Sequence, residues 1–351
     1  MKQIDCIVVG QGIAGSVLAY QLMRLQKKVL VINNPMPNQS SVVAAGMFNP
    51  VSGKRMVLAW NWEKFLHELT DTYQSLEQLF GESFLNFCPT IQYFGNVKEQ
   101  NDFSIKAEDA TFMGHLNADP EKHFGFKDEL GAFEILTTGW LQSEKLIKLL
   151  REQWHAEGVY LEQAFDYNAL ETLEEGFQYK NFTASKIIFC EGMGIAENPY
   201  FNYLPMVPAK GDVFVIKCED IPQTRIWKKG IYLVPIGKGQ FKAGSTYRWG
   251  NLSPAPDEAG RKELLEKLHL LLDVPFEIIA HVSGIRPASK DRMPIIGAHP
   301  QVPNMYLLNG LGTKGIMWAP YVSKQLIGKM YAQAFIEKEI DIERFNTAFQ
   351  F

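Results

Sequence analysis

Two glycine-rich turns at opposite ends of this chain are the residues whose types and spacing point most directly to chemistry. The first, GQGIAG, spans Gly10 to Gly15, directly after the β-branched run Ile4 to Val9. It is followed by Val17, Leu18, Tyr20, Leu22 and Met23 at helical spacing. Gly10 allows the tight turn, Gly12 lets the backbone approach a pyrophosphate, and Gly15 lets the helix pack closely on the strand. The helix start, with Ile13 and Ala14 in its first turn, offers free N–H groups and a positive dipole end to phosphates. A GxGxxG placed between a strand and a helix is a dinucleotide signature. Further along, the second strand, Val29 to Ile32, ends in Asn33 and Asn34, where an acid that grips the ribose is commonly found. An asparagine can still bond a hydroxyl, without the charge, and this leaves NAD and FAD both open.

The second turn, Asn309-Gly310-Leu311-Gly312, follows the apolar run Met305 to Leu308 and precedes a helix expected from about Ala319 to Phe335. Elsewhere the reactive residue types lack catalytic spacing. Cys6, Cys88, Cys190 and Cys218 are scattered, and Cys6 and Cys190 sit in apolar runs that suit a buried, reduced thiol. The seven histidines make no pair at metal-ligand spacing, so no metal is expected. No Gly-x-Ser-x-Gly elbow and no P-loop lysine is present.

The elements that must position these turns are legible as periodicities. Asn33 to Gly53 is rich in Asn, Pro, Ser and Gly and reads as a long loop of the kind that carries function. A helix is expected over Trp62 to Phe80, stopped by Gly81, and a second one is capped by Ser143 and ended by Gly158. Between them, Cys88 to Thr138 reads as short strands and polar loops. Lys186 to Cys190 suggests a strand rejoining the first sheet. Strands are expected over Val213 to Cys218, Ile231 to Ile236 and Gln240 to Thr246, with a helix over about Asp257 to Leu272. The fold class is therefore α/β: a Rossmann-like dinucleotide domain with a second, mainly antiparallel-sheet substrate domain. The first is discontinuous, with 1–88, 139–209 and 284–351 forming it and 89–138 and 210–283 forming the second.

Composition sets the outer bounds. At 351 residues two lobes are the natural expectation, and 46% hydrophobic with 21% charged residues suits a folded globular chain. A net charge of −4 gives no electrostatic case for nucleic acid or an anionic membrane, while a local Arg or Lys can still hold a small anion. The first strand starts at the N-terminus and no apolar run is long enough for a bilayer, so a cytoplasmic enzyme is expected. Oligomeric state is not legible.

The C-terminal block, GIRPASKDRMPIIGAHPQVPNMYLLNGLGTKGIMWAP over 284–320, carries a resemblance. With GQGIAG, SSVVAAGMFNP at 40–50, GWLQSEKL at 139–146, IIFCEGMG at 187–194, VPAKGDVFV at 207–215 and YLVPIGKGQFKAGST at 232–246, it resembles the superfamily of D-amino-acid, glycine and sarcosine oxidases. The resemblance implies FAD, bound noncovalently because no cysteine follows Arg286. It places Ser41, Ala44, Ala45, Gly46 and Met47 along the pyrophosphate toward the flavin ring, and Gly192 beside the cofactor. It puts Gly310, Gly312, Thr313, Lys314, Gly315 and Ile316 over the other side of the ring.

For the substrate, the resemblance implies that Arg286 pairs with a carboxylate, a role its guanidinium fork suits. Tyr232 would hydrogen-bond the same carboxylate. Lys242 would either lie beside the flavin, favouring charge transfer to oxygen, or be a solvated lysine on a half-exposed strand. Tyr247, Trp249, Trp318 and Trp60 are further candidates for pocket walls, with less weight than Tyr232 and Met47. The implied reaction is oxidation of a small primary or secondary amine by hydride transfer to flavin, giving an imine that hydrolyses. Oxygen or another acceptor then takes the electrons. Alternative readings are oxidation of a carboxymethylaminomethyl group on a modified tRNA uridine, an NAD-dependent dehydrogenase, and a non-catalytic flavoprotein.

Overall fold

The computed structural model describes residues 1–36, 38–52, 56–119 and 121–348. The loop expected to end at Gly53 therefore has its last residue outside the described set. A first sheet of eight strands is built on five parallel ones, in the order Tyr160–Glu162, Val29–Asn33, Lys2–Val9, Phe182–Phe189 and Met305–Asn309. Strands of this kind are buried on both faces and read as continuous β-branched runs, which is why Ile4 to Val9 and Val29 to Ile32 were legible. The hairpin Leu170–Leu173 and Gly176–Tyr179 and the strand Ile295–Ala298 extend it antiparallel.

The second sheet, also of eight strands, is mostly antiparallel. Its order is Glu277–Arg286, Ala209–Lys217, Gln240–Gly244, Tyr232–Gly237, Ile226–Lys228, Thr90–Tyr93, Ala132–Ile135 and Leu116–Asp119, with one parallel pair between Ile226–Lys228 and Thr90–Tyr93. Its strand Glu277–Arg286 runs past residue 284, and Arg286 still pairs with Ala209. A small cluster of Ala45, Trp140, Ile226 and Val234, with Met47, Cys88 and Tyr232 packed on it, joins the second sheet to the 45–47 segment and Trp140.

Several elements depart from the expectations. The helix Val97–Glu108 lies where strands and loops were read; only Phe103 of it is buried, so it shows little apolar stripe. The loop after Asn33 contains a single helical turn, Ser40–Val43. Helix Ser143–Ala156 is capped by Gln142 and not by Ser143, whose Oγ instead donates to the Ser41 carbonyl at 2.6 Å.

The last helix, Gly315–Ala332, starts four residues earlier than expected and carries Pro320 inside. Proline removes the N–H that would bond the carbonyl four residues back, that of Ile316. The buried Tyr73 hydroxyl donates to that carbonyl at 2.8 Å and replaces the missing bond.

Candidate active site

The two glycine turns, the loop between Asn33 and Met47 and the strand end at Arg286 together line one cavity of about 600 Å³. Gly10 has φ +98°, and a Cβ there would lie 2.5 Å from the Cys190 carbonyl oxygen. A Cβ on Gly15 would strike the Gly10 carbonyl, so that glycine sets the closeness of helix and strand. It does not line the cavity. The N–H of Ile13 donates to Ser41 Oγ at 2.9 Å, and a Cβ on Gly12 would lie 3.3 Å from the same oxygen. A cavity lined by a helix N-terminus and by glycines at a close backbone approach fits a dinucleotide pyrophosphate.

Most residues expected around the cofactor are brought together here. Gly10, Gly12, Ile13, Ala14, Asn33 and Asn34 line the cavity on the first turn's side. Ser41, Ala44, Ala45, Gly46 and Met47 form one long wall. Gly192, Gly312, Thr313, Gly315 and Ile316 line the opposite part. Gly310 makes its turn with φ +76° but lies behind the lining, and Lys314 places its amine 5.2 Å from the Trp318 ring instead of in the cavity. Asn33, which lines the cavity, is itself held on both sides. Its Oδ1 accepts from the Gln11 N–H at 2.9 Å and its Nδ2 donates to the Tyr160 hydroxyl at 3.2 Å. The amide thus ties the glycine turn, through Gln11, to Tyr160 of the adjacent strand.

The wall at 40–44 is pinned from three directions. The Ser143 hydroxyl holds the Ser41 carbonyl, and the Ser40 hydroxyl donates to the Ile285 carbonyl. Lys242 Nζ donates to the carbonyls of Val42 at 2.9 Å, Val43 at 3.3 Å and Ala44 at 2.9 Å. Lys242 is therefore neither solvated nor among the residues lining the cavity. It closes the C-terminal end of the helical turn as a positive charge on orphan carbonyls. Burial holds its pKa below the usual lysine range.

On the wall of the same cavity Arg286 Nη2 donates to Ser245 Oγ at 2.6 Å and to the Thr246 carbonyl at 3.2 Å. Its Nη1 is buried with no hydrogen-bond partner among the described residues. The guanidinium lies over Gly211, where a Cβ would come within 2.5 Å of Nη1 and closer still to Nη2 and Cζ. Tyr232 lines the same region, and burial pushes its phenol above the usual range while Arg286 and Ser245 oppose that shift.

Behind the sheet the fully buried Asp212 carboxylate accepts from Arg248 Nη2 at 2.6 Å, Thr246 Oγ1 at 3.1 Å and His281 Nε2 at 3.1 Å. The Asp212 N–H also donates to Thr246 Oγ1 at 2.8 Å. Thr246, whose carbonyl holds Arg286, is thereby fixed from the opposite face. Gly211, Ser245, Thr246 and Asp212 were not singled out from the sequence. The signal available was the glycine in VPAKGDVFV, which only its cross-strand neighbour explains. Trp60 and Trp318 belong to the core of the first sheet's helical layer and not to the pocket.

Among the described residues Asp119, Glu121 and His123 are the one group near enough together to suggest a metal, and the His123 Nε2 to Asp119 contact of 2.8 Å needs none. No helix of the described residues is long and apolar enough to cross a membrane.

Comparisons with known proteins agree with this geometry. The chain is 24% identical over 357 residues to the tRNA 5-methylaminomethyl-2-thiouridine biosynthesis bifunctional protein MnmC of Marinobacter nauticus, matching 93% of this chain. It spans 55% of that protein's length. It is 22% identical to the glycine oxidase of Bacillus licheniformis, covering 93% of this chain and 92% of that one. Among solved structures, glycine oxidase from Bacillus cereus superposes with a TM-score of 0.77 at 18% identity, covering 95% of this chain and 96% of that one. Residues 5–328 match the model of the DAO family, described as FAD dependent oxidoreductase, and the chain is therefore a member of that family with FAD as its cofactor.

Proposed function

We propose that this FAD-dependent oxidoreductase oxidises a small amine that carries a carboxylate, an amino acid or an N-substituted glycine. The observation that carries this reading is Arg286: one guanidinium nitrogen is held by Ser245 and Thr246, while the other is buried at the wall of the cavity without a partner among the described residues. A buried, unpaired guanidinium N–H is costly unless an anion meets it, and a carboxylate matches its fork. When bound, FAD would accept the C–H hydrogen beside nitrogen with its two electrons as hydride; the iminium left behind gives a proton to water, and the imine is hydrolysed.

The chain's own contribution is orientation. Arg286 and Tyr232 hold the carboxylate, the Ser41–Met47 wall excludes water, and the Asp212 cluster keeps Thr246 and hence Arg286 in place. No histidine or lysine among the described residues lines the cavity; its titratable lining includes Glu191 and Glu197, and burial raises the Glu191 carboxyl above the usual range. The electrons pass on to oxygen, giving peroxide, or to another acceptor.

The match of 93% of the chain to a tRNA-modifying protein favours one second reading, in which the carboxylated amine is a carboxymethylaminomethyl group on a modified uridine. The test is anaerobic bleaching of the bound flavin by glycine, sarcosine, D-amino acids, L-proline, N-carboxymethyl amines and 5-carboxymethylaminomethyluridine. At least one is expected to bleach it. In Arg286→Leu the KM for that compound should rise about tenfold to a hundredfold, with flavin content kept. An unchanged KM removes Arg286 from the substrate site.

A further inference from the structure

Beside Arg286 the chain presents two aromatic rings to solvent. Tyr247 is 37% and Trp249 58% exposed, and the two meet edge to face with centroids 5.0 Å apart. The Tyr247 ring lies 5.1 Å from the Arg286 guanidinium. Their side of the chain follows from the backbone. Residues 210 and 248 exchange N–H to carbonyl bonds of 2.9 and 3.0 Å, so this stretch is extended against the Ala209–Lys217 strand. Thr246 and Arg248 turn to Asp212 on the far face. Alternation then sends Tyr247 and Trp249 to the face that carries Gly211 and Arg286.

The chain beyond them returns to the same place: Pro254 lines the cavity, and its carbonyl accepts from Ser283 Oγ at 2.6 Å. Neither ring is among the residues that line the cavity, and the pair adds exposed aromatic surface directly beside Arg286.

We infer that Tyr247 and Trp249 form an aromatic lip that holds a flat ring borne on the nitrogen of the substrate whose carboxylate meets Arg286. This rests on the amine reading above and narrows it. The preferred substrate is then an N-substituted glycine that carries a ring. The ring stacks or meets the indole edge to face, while Tyr247 is kept in position by the guanidinium beneath it.

The experiment uses the FAD-loaded protein and reads binding by perturbation of the flavin absorption spectrum under anaerobic conditions, with sarcosine, N-benzylglycine, N-(cyclohexylmethyl)glycine and 5-carboxymethylaminomethyluridine. In the wild type at least one ring-bearing compound should bind more tightly than sarcosine and than the saturated ring. Trp249→Ala should raise its Kd about three- to tenfold and leave that of sarcosine unchanged, and Trp249→Phe should restore most of the loss. A response confined to N-benzylglycine assigns the ring to a small amino-acid derivative; one confined to the nucleoside assigns it to a nucleobase. Equal binding of flat and saturated rings, or no change in Trp249→Ala, overturns the lip. Failure of all four to bleach the flavin would count against the amine reading, while the ring-dependent binding still decides the lip.

Discussion

Gly211→Ala is the substitution that tests the site most sharply, because nothing in the backbone forbids it. Gly211 does not have the positive φ that disfavours other residues, so an alanine fits the strand itself. The obstacle is the guanidinium of Arg286, to which the new methyl would come within 2.5 Å at Nη1 and closer at Nη2 and Cζ, distances that real Cβ atoms do not show. The guanidinium must therefore leave its seat, and with it go the bonds from Nη2 to Ser245 Oγ at 2.6 Å and to the Thr246 carbonyl at 3.2 Å. A hydrogen bond to a charged group is worth about 1.5–3 kcal/mol.

If the displaced arginine loses one such bond to the substrate, kcat/KM for a carboxylated amine falls about tenfold to a hundredfold. The assay is steady-state kinetics with the best carboxylated amine and with an amine of the same size lacking the carboxylate. Flavin content and melting temperature are measured alongside. The expected result is a loss for the first substrate only, with flavin content kept. A KM within twofold of the wild type would refute the reasoning, since it would mean that Arg286 does its work from some other position.

Two further outcomes follow from the same geometry. Lys242→Met strips the carbonyls of Val42, Val43 and Ala44 of their donor; the flavin should dissociate more readily on dilution, read by its fluorescence, and stability should drop by about 1–3 kcal/mol. If reoxidation by oxygen slows while flavin retention is unchanged, the lysine acts on the flavin chemistry and not on the wall. Burial lowers the pKa of His281 against the opposing pull of Asp212. A histidine depressed in the folded state adds stability above its ordinary value near ~6.5 and loses it as pH falls through the lower folded value. Thermal melts of wild type and His281→Gln should therefore draw together or cross as pH drops from about 7.5 to 5, with the wild type losing more; parallel curves would show that His281 does not titrate there.

Much of the nucleotide end was legible in the sequence because its physics is local. A strand, a glycine turn and a helix start are set by residues a few positions apart, and GQGIAG with the apolar runs around it specifies all three. The helix Trp62–Phe80 was readable for the same reason, having one apolar face and a terminal glycine. The last helix begins four residues before the expected Ala319, and the hydroxyl of Tyr73, far away in the chain, meets the carbonyl that Pro320 leaves without its N–H. Helix Val97–Glu108 escaped because one buried phenylalanine leaves little periodic signal.

What the sequence by itself determined, then, is the dinucleotide turn, the two kinds of sheet, and the identity of Arg286 as the cation worth testing. Tertiary structure decided how that cation is held and which residues serve it. Gly211, Ser245, Thr246 and Asp212 act on Arg286 across strands, through contacts between residues some 30 to 75 positions apart, where no periodicity in the chain can mark them. It also set the Lys242 amine on the carbonyls that end the Ser40–Val43 turn. The reason is that a lysine's partners are whatever carbonyls the fold brings to it, and those lie in a loop from the other end of the chain.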